Sequence, residues 1–211
     1  MGAPEPFVVS FSLAYQVEGP AGDNPPSLAI ALGANLPSPA GEPLATLLAV
    51  RPLLSQLLQA WAGPLQLRWS PLFRTAPVGG PADQTAYLNA VLLVSGAGGP
   101  SCAAAQALMA QLHQLEQRFG RQRRERWGPR SLDLDLLWWG ELRCAEPSLE
   151  LPHPRWRQRA FVLAPLAAIA ADLVPPAQSR CCAALLAALE DGQQGSPPET
   201  LAARLGWPEG G

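Results

Sequence analysis

The stretch Leu132-Asp133-Leu134-Asp135-Leu136-Leu137 narrows the possible folds of this chain more than any other. Strict alternation of apolar and polar residues is the period of a β-strand. It predicts a strand over 132–139, with Leu132, Leu134 and Leu136 turned toward a core. Asp133 and Asp135 then share the opposite face. Two adjacent carboxylates repel, and each raises the other's proton affinity. A divalent cation removes that conflict, and hard oxygen ligands suit Mg²⁺, which commonly takes one or two carboxylates plus substrate phosphates. Taken alone, the pair also fits the exposed polar face of an amphipathic strand. Trp138 and Trp139 end the strand, and alternation allows at most one of them to face the core.

The other elements follow from local pattern. Leu28 to Leu32 is a short apolar run before Gly33 and reads as a buried strand. Pro43 suits a helix start, and Leu44, Leu47, Leu48, Pro52, Leu54, Leu57 and Leu58 continue at near-helical spacing until Gly63-Pro64. Residues 65–75 read as a second strand, 76–86 as a Gly/Pro-rich loop, and Tyr87 to Ser95 as a third strand. Ser101 is placed to cap a helix running to about Phe119 and stopped by Gly120. Further helices are expected over 161–171 and 182–190. The order β-α-β-β-α-β is the split βαβ arrangement. The predicted fold class is α+β, a ferredoxin-like βαββαβ core with a mainly antiparallel sheet and helices packed on it. Residues 1–26 are predicted to be a poorly ordered Pro/Gly-rich extension, 27–190 a single folded domain and 191–211 a frayed tail. Such a core hosts many activities, so function has to be argued from the site.

Just upstream of the acid pair lie Arg118, Arg121, Arg123, Arg124, Arg126 and Arg130, six cations within thirteen residues. Their mutual repulsion calls for an anionic partner. The guanidinium fork matches phosphate oxygens in a way an ammonium does not. All fifteen basic residues are Arg; a codon bias accounts for that composition, but not for the clustering. Trp127 stands among these arginines and can cover a flat ring. A solvated basic loop paired with Glu116 and Glu125, or an RNA-binding loop, remains an alternative for this segment considered alone. Its position next to the acid pair makes metal–nucleotide chemistry the better reading.

A formal net charge of −2 argues against a general nucleic-acid binder. Cys102, Cys144, Cys181 and Cys182 form no CxxC pair and no zinc-type spacing with the two histidines. No apolar run approaches the ~18–20 residues of a membrane span. The first 26 residues contain five prolines and lack a basic n-region. These features lead to the expectation of a cytoplasmic protein.

The segment Gly120 to Asp135, with its core Arg126-Trp127-Gly128-Pro129-Arg130-Ser131-Leu132-Asp133-Leu134-Asp135, closely resembles the signature of the hydroxymethyldihydropterin pyrophosphokinase family. Three more blocks agree in order: Ala31 to Leu36; Arg74 to Gly79 with Tyr87 to Ala90; and Leu151 to Pro154 with Arg159 to Phe161. The likeness spans about residues 28–175 and makes 27–190 a pyrophosphokinase domain. It implies transfer of diphosphate from ATP to 6-hydroxymethyl-7,8-dihydropterin in folate synthesis, giving AMP and the pterin diphosphate. Asp133 and Asp135 would hold two Mg²⁺ ions, while Arg121 and Arg130 would clamp the phosphates. Arg123 and Trp127 would lie on a closing loop over the nucleotide. Tyr87 and Phe161 would sandwich the pterin; Asn89, with backbone groups of Thr75 and Val78, would read its edge. Glu116, His153 and Arg159 would help hold the nucleotide. The implied partners are small-molecule substrates, with a monomeric enzyme and neither nucleic acid nor membrane.

The chain departs from the family pattern in places. The loop between Gly120 and Trp127 is one residue short of one well-known form, and the loop before Tyr87 is one longer. Pro154 replaces a frequent aromatic, and Ala76 a frequent proline. Two competing classes are an RNA-binding ferredoxin-like module, whose aromatic pattern this chain lacks, and an inactive homologue kept for interaction, against which the intact acid pair and arginines argue. His113, beside Leu112 and Leu115, reads as a packing residue.

Overall fold

The computed structural model describes residues 27–62, 65–79, 84–121, 128–191, 197–201 and 206–207. The extension 1–26 lies outside them. The first six elements are β1 (Ser27–Ala34), α1 (Pro43–Ala62), β2 (Gln66–Trp69), β3 (Phe73–Thr75), β4 (Tyr87–Ser95) and α2 (Cys102–Arg118). They continue with β5 (Asp133–Trp139), β6 (Cys144–Glu146), β7 (Leu149–Leu151), α3 (Ala160–Ala170), α4 (Cys182–Glu190) and β8 (Glu199–Thr200). The main sheet runs β5-β1-β4-β3-β8 with β2 also on β4, every neighbour antiparallel. With β2 and β3 counted as one interrupted strand, this is the α+β ferredoxin-like core expected from the sequence.

The interruption has a local cause. Pro71 has no N–H to give to the ladder, so the predicted strand 65–75 breaks over Ser70-Pro71-Leu72. The Ser70 hydroxyl takes over part of the pairing. Its Oγ accepts the N–H of Val91 (2.9 Å), while the Ser70 N–H donates to the Val91 carbonyl (2.9 Å).

Two hydrophobic layers enclose the sheet. On one side Leu28, Ile30, Leu32, Leu92, Leu134 and Leu136 pack with Leu47, Leu54, Leu108 and Leu112 of α1 and α2. On the other, Ala29, Val91, Leu93 and Leu137 pack with Val162, Leu163 and Leu166 of α3, and Cys182 at the start of α4. The second layer overturns the expectation for the paired tryptophans, since both are buried. The pairing of β1 with β5 slips at Ala29/Ile30, leaving Leu137 as the extra residue of a bulge. Trp138 therefore joins the α3 side and Trp139 the α1/α2 side.

Helix α2 begins where Ser101 Oγ accepts the Ala104 N–H (3.1 Å). It ends in a Schellman turn. Gly120 adopts φ +77°, its N–H donates to the Gln117 carbonyl (2.9 Å), and the Arg121 N–H donates to the Glu116 carbonyl (3.0 Å). That turn fixes the direction in which Arg121 leaves the helix.

Part of the tail expected to fray is instead fixed. β8 pairs with β3, and Trp207 is 3 % exposed within the main core. The open edge of β3 offers backbone groups for pairing, and Trp207 buries a large ring whose Nε1 finds the Ser70 carbonyl (2.8 Å). No helix among the described residues is long and apolar enough to cross a membrane.

Candidate active site

Three strands place the central groups side by side. Gly33 of β1 stands opposite Asn89 of β4 on one flank and Asp133 of β5 on the other; Ala31 likewise stands between Val91 and Asp135. Alternation puts these residues on the face opposite the leucine layer. Near one end of the sheet, α3 does not fill that face. A cleft of about 280 Å³ opens there, lined by Thr75, Val78, Tyr87, Asn89, Arg130, Asp133, Asp135, Arg159 and Phe161 among others. Nine of the residues singled out from the sequence thus border one cavity.

Cations flank both carboxylates. Asp133 Oδ1 accepts from Arg121 and its Oδ2 from Arg130, while Asp135 Oδ2 accepts from Arg159 Nη1 (3.1 Å). Burial by itself would lower the Arg130 pKa; attraction to Asp133, with their hydrogen bond, reverses that and raises it. The acids remain partly open, with side chains 19 % and 28 % exposed for Asp133 and Asp135. Among the described residues no group of three or more His, Cys, Asp or Glu gathers to cage a metal. Two hard carboxylates on one cleft wall are of the donor type that suits a Mg²⁺ sharing its coordination with phosphates and water.

Tyr87 and Phe161 come to the cleft from different elements, β4 and the first turn of α3. Burial first, with opposing effects of nearby charges, raises the Tyr87 pKa; the phenol donates to the Gly128 carbonyl (3.1 Å). The Arg159 guanidinium sits 5.4 Å from the Phe161 ring centre. Asn89 is buried and its Nδ2 donates to Thr75 Oγ1 (2.7 Å), which fixes the amide orientation. Val78 is 76 % exposed at the rim.

Three predicted residues sit beside the cleft rather than in its lining. Glu116 is 2 % exposed, and its Oε1 accepts from Arg121 and from the Leu134 N–H (2.8 Å). That position ties α2 to β5 and orients Arg121. Arg121 itself approaches through its contact with Asp133. His153 is held by its N–H donating to the Leu137 carbonyl (2.7 Å), and its Nδ1 accepts from the Arg155 N–H (3.2 Å). Burial lowers the His153 pKa, opposed by Asp135 and reinforced by Arg159 and Arg155. Arg123 and Trp127 lie outside the described residues.

Sequence reasoning missed several participants. Asn35 is a buried hub. Its Oδ1 accepts the Arg130 N–H (2.7 Å), its Nδ2 donates to the Thr85 carbonyl (3.1 Å), and Thr85 Oγ1 donates back to the Asn35 carbonyl (2.7 Å). An Asn directly after a buried strand was the available signal. A Cβ at Gly33 would meet Asn89 Oδ1 at 2.9 Å, so a larger residue there would displace that amide. Arg155 and Gln158 also line the cleft.

Comparison with known proteins identifies the family. Residues 29–171 match the family model described as 7,8-dihydro-6-hydroxymethylpterin-pyrophosphokinase (HPPK). A Pseudomonas aeruginosa protein named 2-amino-4-hydroxy-6-hydroxymethyldihydropteridine pyrophosphokinase is 40 % identical over 147 residues, covering 70 % of this chain and 82 % of that protein. The Haemophilus influenzae protein of the same name is 36 % identical, covering 70 % and 83 %. A Synechocystis relative so named is 51 % identical over 69 residues, only 35 % of its own length. Among solved structures, wild-type Plasmodium falciparum HPPK-DHPS superposes with a TM-score of 0.51 at 11 % identity, covering 80 % of this chain and 45 % of that one; this likeness concerns the fold. The chain belongs to the 7,8-dihydro-6-hydroxymethylpterin-pyrophosphokinase family.

Proposed function

We infer that the protein transfers the diphosphate of ATP to 6-hydroxymethyl-7,8-dihydropterin, releasing AMP and the pterin diphosphate as a step of folate synthesis. The observation that carries this reading is the cleft itself, in which Asp133 and Asp135 stand among three guanidiniums, beside two aromatic rings and a buried amide. A flat heteroaromatic is bound by ring faces and oriented by a few edge hydrogen bonds. Tyr87 and Phe161 supply the faces, and Asn89, braced by Thr75, supplies the edge.

The acid pair and the arginines work by exchanging partners. Each carboxylate now accepts from arginine. Asp133 and Asp135 would turn to the magnesium of a bound magnesium–triphosphate, and Arg121, Arg130 and Arg159 to its phosphate oxygens, so that no charge would lose a partner when the nucleotide arrives. Asp133 and Asp135, at alternate strand positions, would hold two Mg²⁺ ions, which would supply charge neutralisation during the transfer. The rigid strand fixes where the phosphates lie relative to the pterin oxygen, which phosphoryl-type transfer requires more than covalent help. The pterin hydroxymethyl oxygen bonds to the β-phosphorus, the bond from that phosphorus to the α-phosphate oxygen breaks, and the hydroxyl proton passes to solvent. The family likeness supports a nucleotide role for Arg123 and Trp127, and a cytoplasmic, monomeric enzyme. Among the described residues, Arg121, Arg130 and Arg159 are turned to the cleft carboxylates, which favours the nucleotide reading over RNA binding.

Incubating the protein with ATP, Mg²⁺ and the pterin alcohol yields AMP in an amount equal to the pterin diphosphate, and omitting the pterin abolishes AMP release. Formation of ADP instead would overturn diphosphate transfer.

A further inference from the structure

Residues 197–201 and 206–207 lie beyond the family-matched span 29–171, yet they attach to the strand that carries the predicted pterin edge. β8 pairs Thr200 with Phe73 and Glu199 with Arg74. The Leu201 N–H donates to the Leu72 carbonyl (2.8 Å), and Trp207 Nε1 donates to the Ser70 carbonyl (2.8 Å). The Trp207 ring meets Trp69 edge to face, with centroids 5.7 Å apart. The Arg51 guanidinium sits 4.9 Å from the Trp69 ring and 5.0 Å from that of Trp207. The tail thus grips the sheet at three successive places: the end of β2, the Ser70–Leu72 break and β3.

That break is where the ladder to β4 is weakest. Pro71 gives no N–H, and the Ser70 side chain stands in for backbone pairing with Val91. Three residues after the break, Thr75 Oγ1 accepts from Asn89 and sets the direction of its amide. A shift in β3 would therefore be felt first at Asn89 and the 76–79 segment, which line the pterin side of the cleft. The nucleotide side, with Asp133, Asp135 and Arg159, is built on β5 and the start of α3 and makes no contact with the tail in the bonds just described.

We propose that the C-terminal segment is a positioning clasp for the pterin wall, with Trp207 as its anchor: by holding the interrupted strand in register it sets the Thr75–Asn89 pair that reads the substrate edge. The proposal rests on the pterin assignment made above. Trp207 is a positioning residue, remote from the reacting atoms.

The test measures KM for the pterin alcohol, KM for MgATP and kcat in Trp207→Ala and Trp207→Phe, at a temperature where circular dichroism shows each variant folded. Trp207→Ala is expected to raise the pterin KM about tenfold, one factor of ten in binding, while the MgATP KM stays within about twofold. Trp207→Phe keeps a ring against Trp69 and Arg51 but loses the bond to Ser70, and falls between. If Trp207→Ala is not folded, Trp207→Phe carries the test through the same split. Unchanged constants for both substrates, or equal losses on both, would overturn the clasp. The unaltered protein failing to release AMP with the pterin would instead overturn the activity reading, so the two failures are separable.

Discussion

On one face of the sheet, Leu32, Leu134 and Leu136 lie under α1 and α2 and are at most 2 % exposed. One residue along the same strands, Gly33, Asp133 and Asp135 line an open cleft. Backbone, register and strand neighbours are shared, and only the parity of the position differs. The leucine face is covered along its length by two helices and closes by hydrophobic burial. The opposite face is covered only where α3 and α4 reach it, so Leu137 and Trp138 are buried there while the acids are left to solvent and to arginine. Stability and chemistry are thus assigned to alternate residues of one strand, and a substitution on one face should leave the other's property largely intact.

The largest effect that would break this division is on the cleft face. Asp135→Ala is expected to lower turnover about a thousandfold or more, about 4 kcal/mol of barrier, because the magnesium that neutralises the bound phosphates would lose one of its carboxylate ligands. Its urea midpoint should remain close to that of the unaltered protein; a near-normal rate would remove Asp135 from the site. On the leucine face, Leu134→Ala should cost about 2–5 kcal/mol of stability through lost burial and a residual cavity, read as a lower urea midpoint at unchanged slope. Under folding conditions its KM values should change little, and a large KM change would show that the faces are not independent. The smallest effect sharpens the boundary between them. Gly33→Ala places a methyl group against Asn89 Oδ1, and about tenfold in pterin KM, about 1.4 kcal/mol, is expected with MgATP binding unaffected. Equal weakening of both substrates would mean that Gly33 acts through the strand and not through Asn89.

Much of this was legible beforehand because it is local. The alternation over 132–136 announced β5 and the side on which its acids lie, and the Ser101 cap with Gly120 announced both ends of α2. The arginine cluster announced an anion. Less legible were features in which distant residues meet. Asn35 joins Arg130 and Thr85, one 95 and the other 50 positions away, and no periodicity marks such a partner. The family resemblance implied a nucleotide role for Glu116; only the fold shows it buried against β5 and bonded to Arg121. The tail looked frayed because it is rich in Gly and Pro, yet the pairing of β8 with β3 and the Trp207 ring with its carbonyl acceptor fix the described part of it.

The sequence by itself determined the strand and helix periods, the pairing of Asp133 with Asp135 on one surface and the family to which these motifs point, since each depends on spacing along a chain with fixed backbone geometry. Only the tertiary structure decided which carboxylate faces which arginine, that both Trp138 and Trp139 are buried, and that Trp207 braces the strand leading to Thr75. Those outcomes depend on how layers pack against one another and on where a bulge shifts the register, and neither is written in the spacing of neighbouring residues.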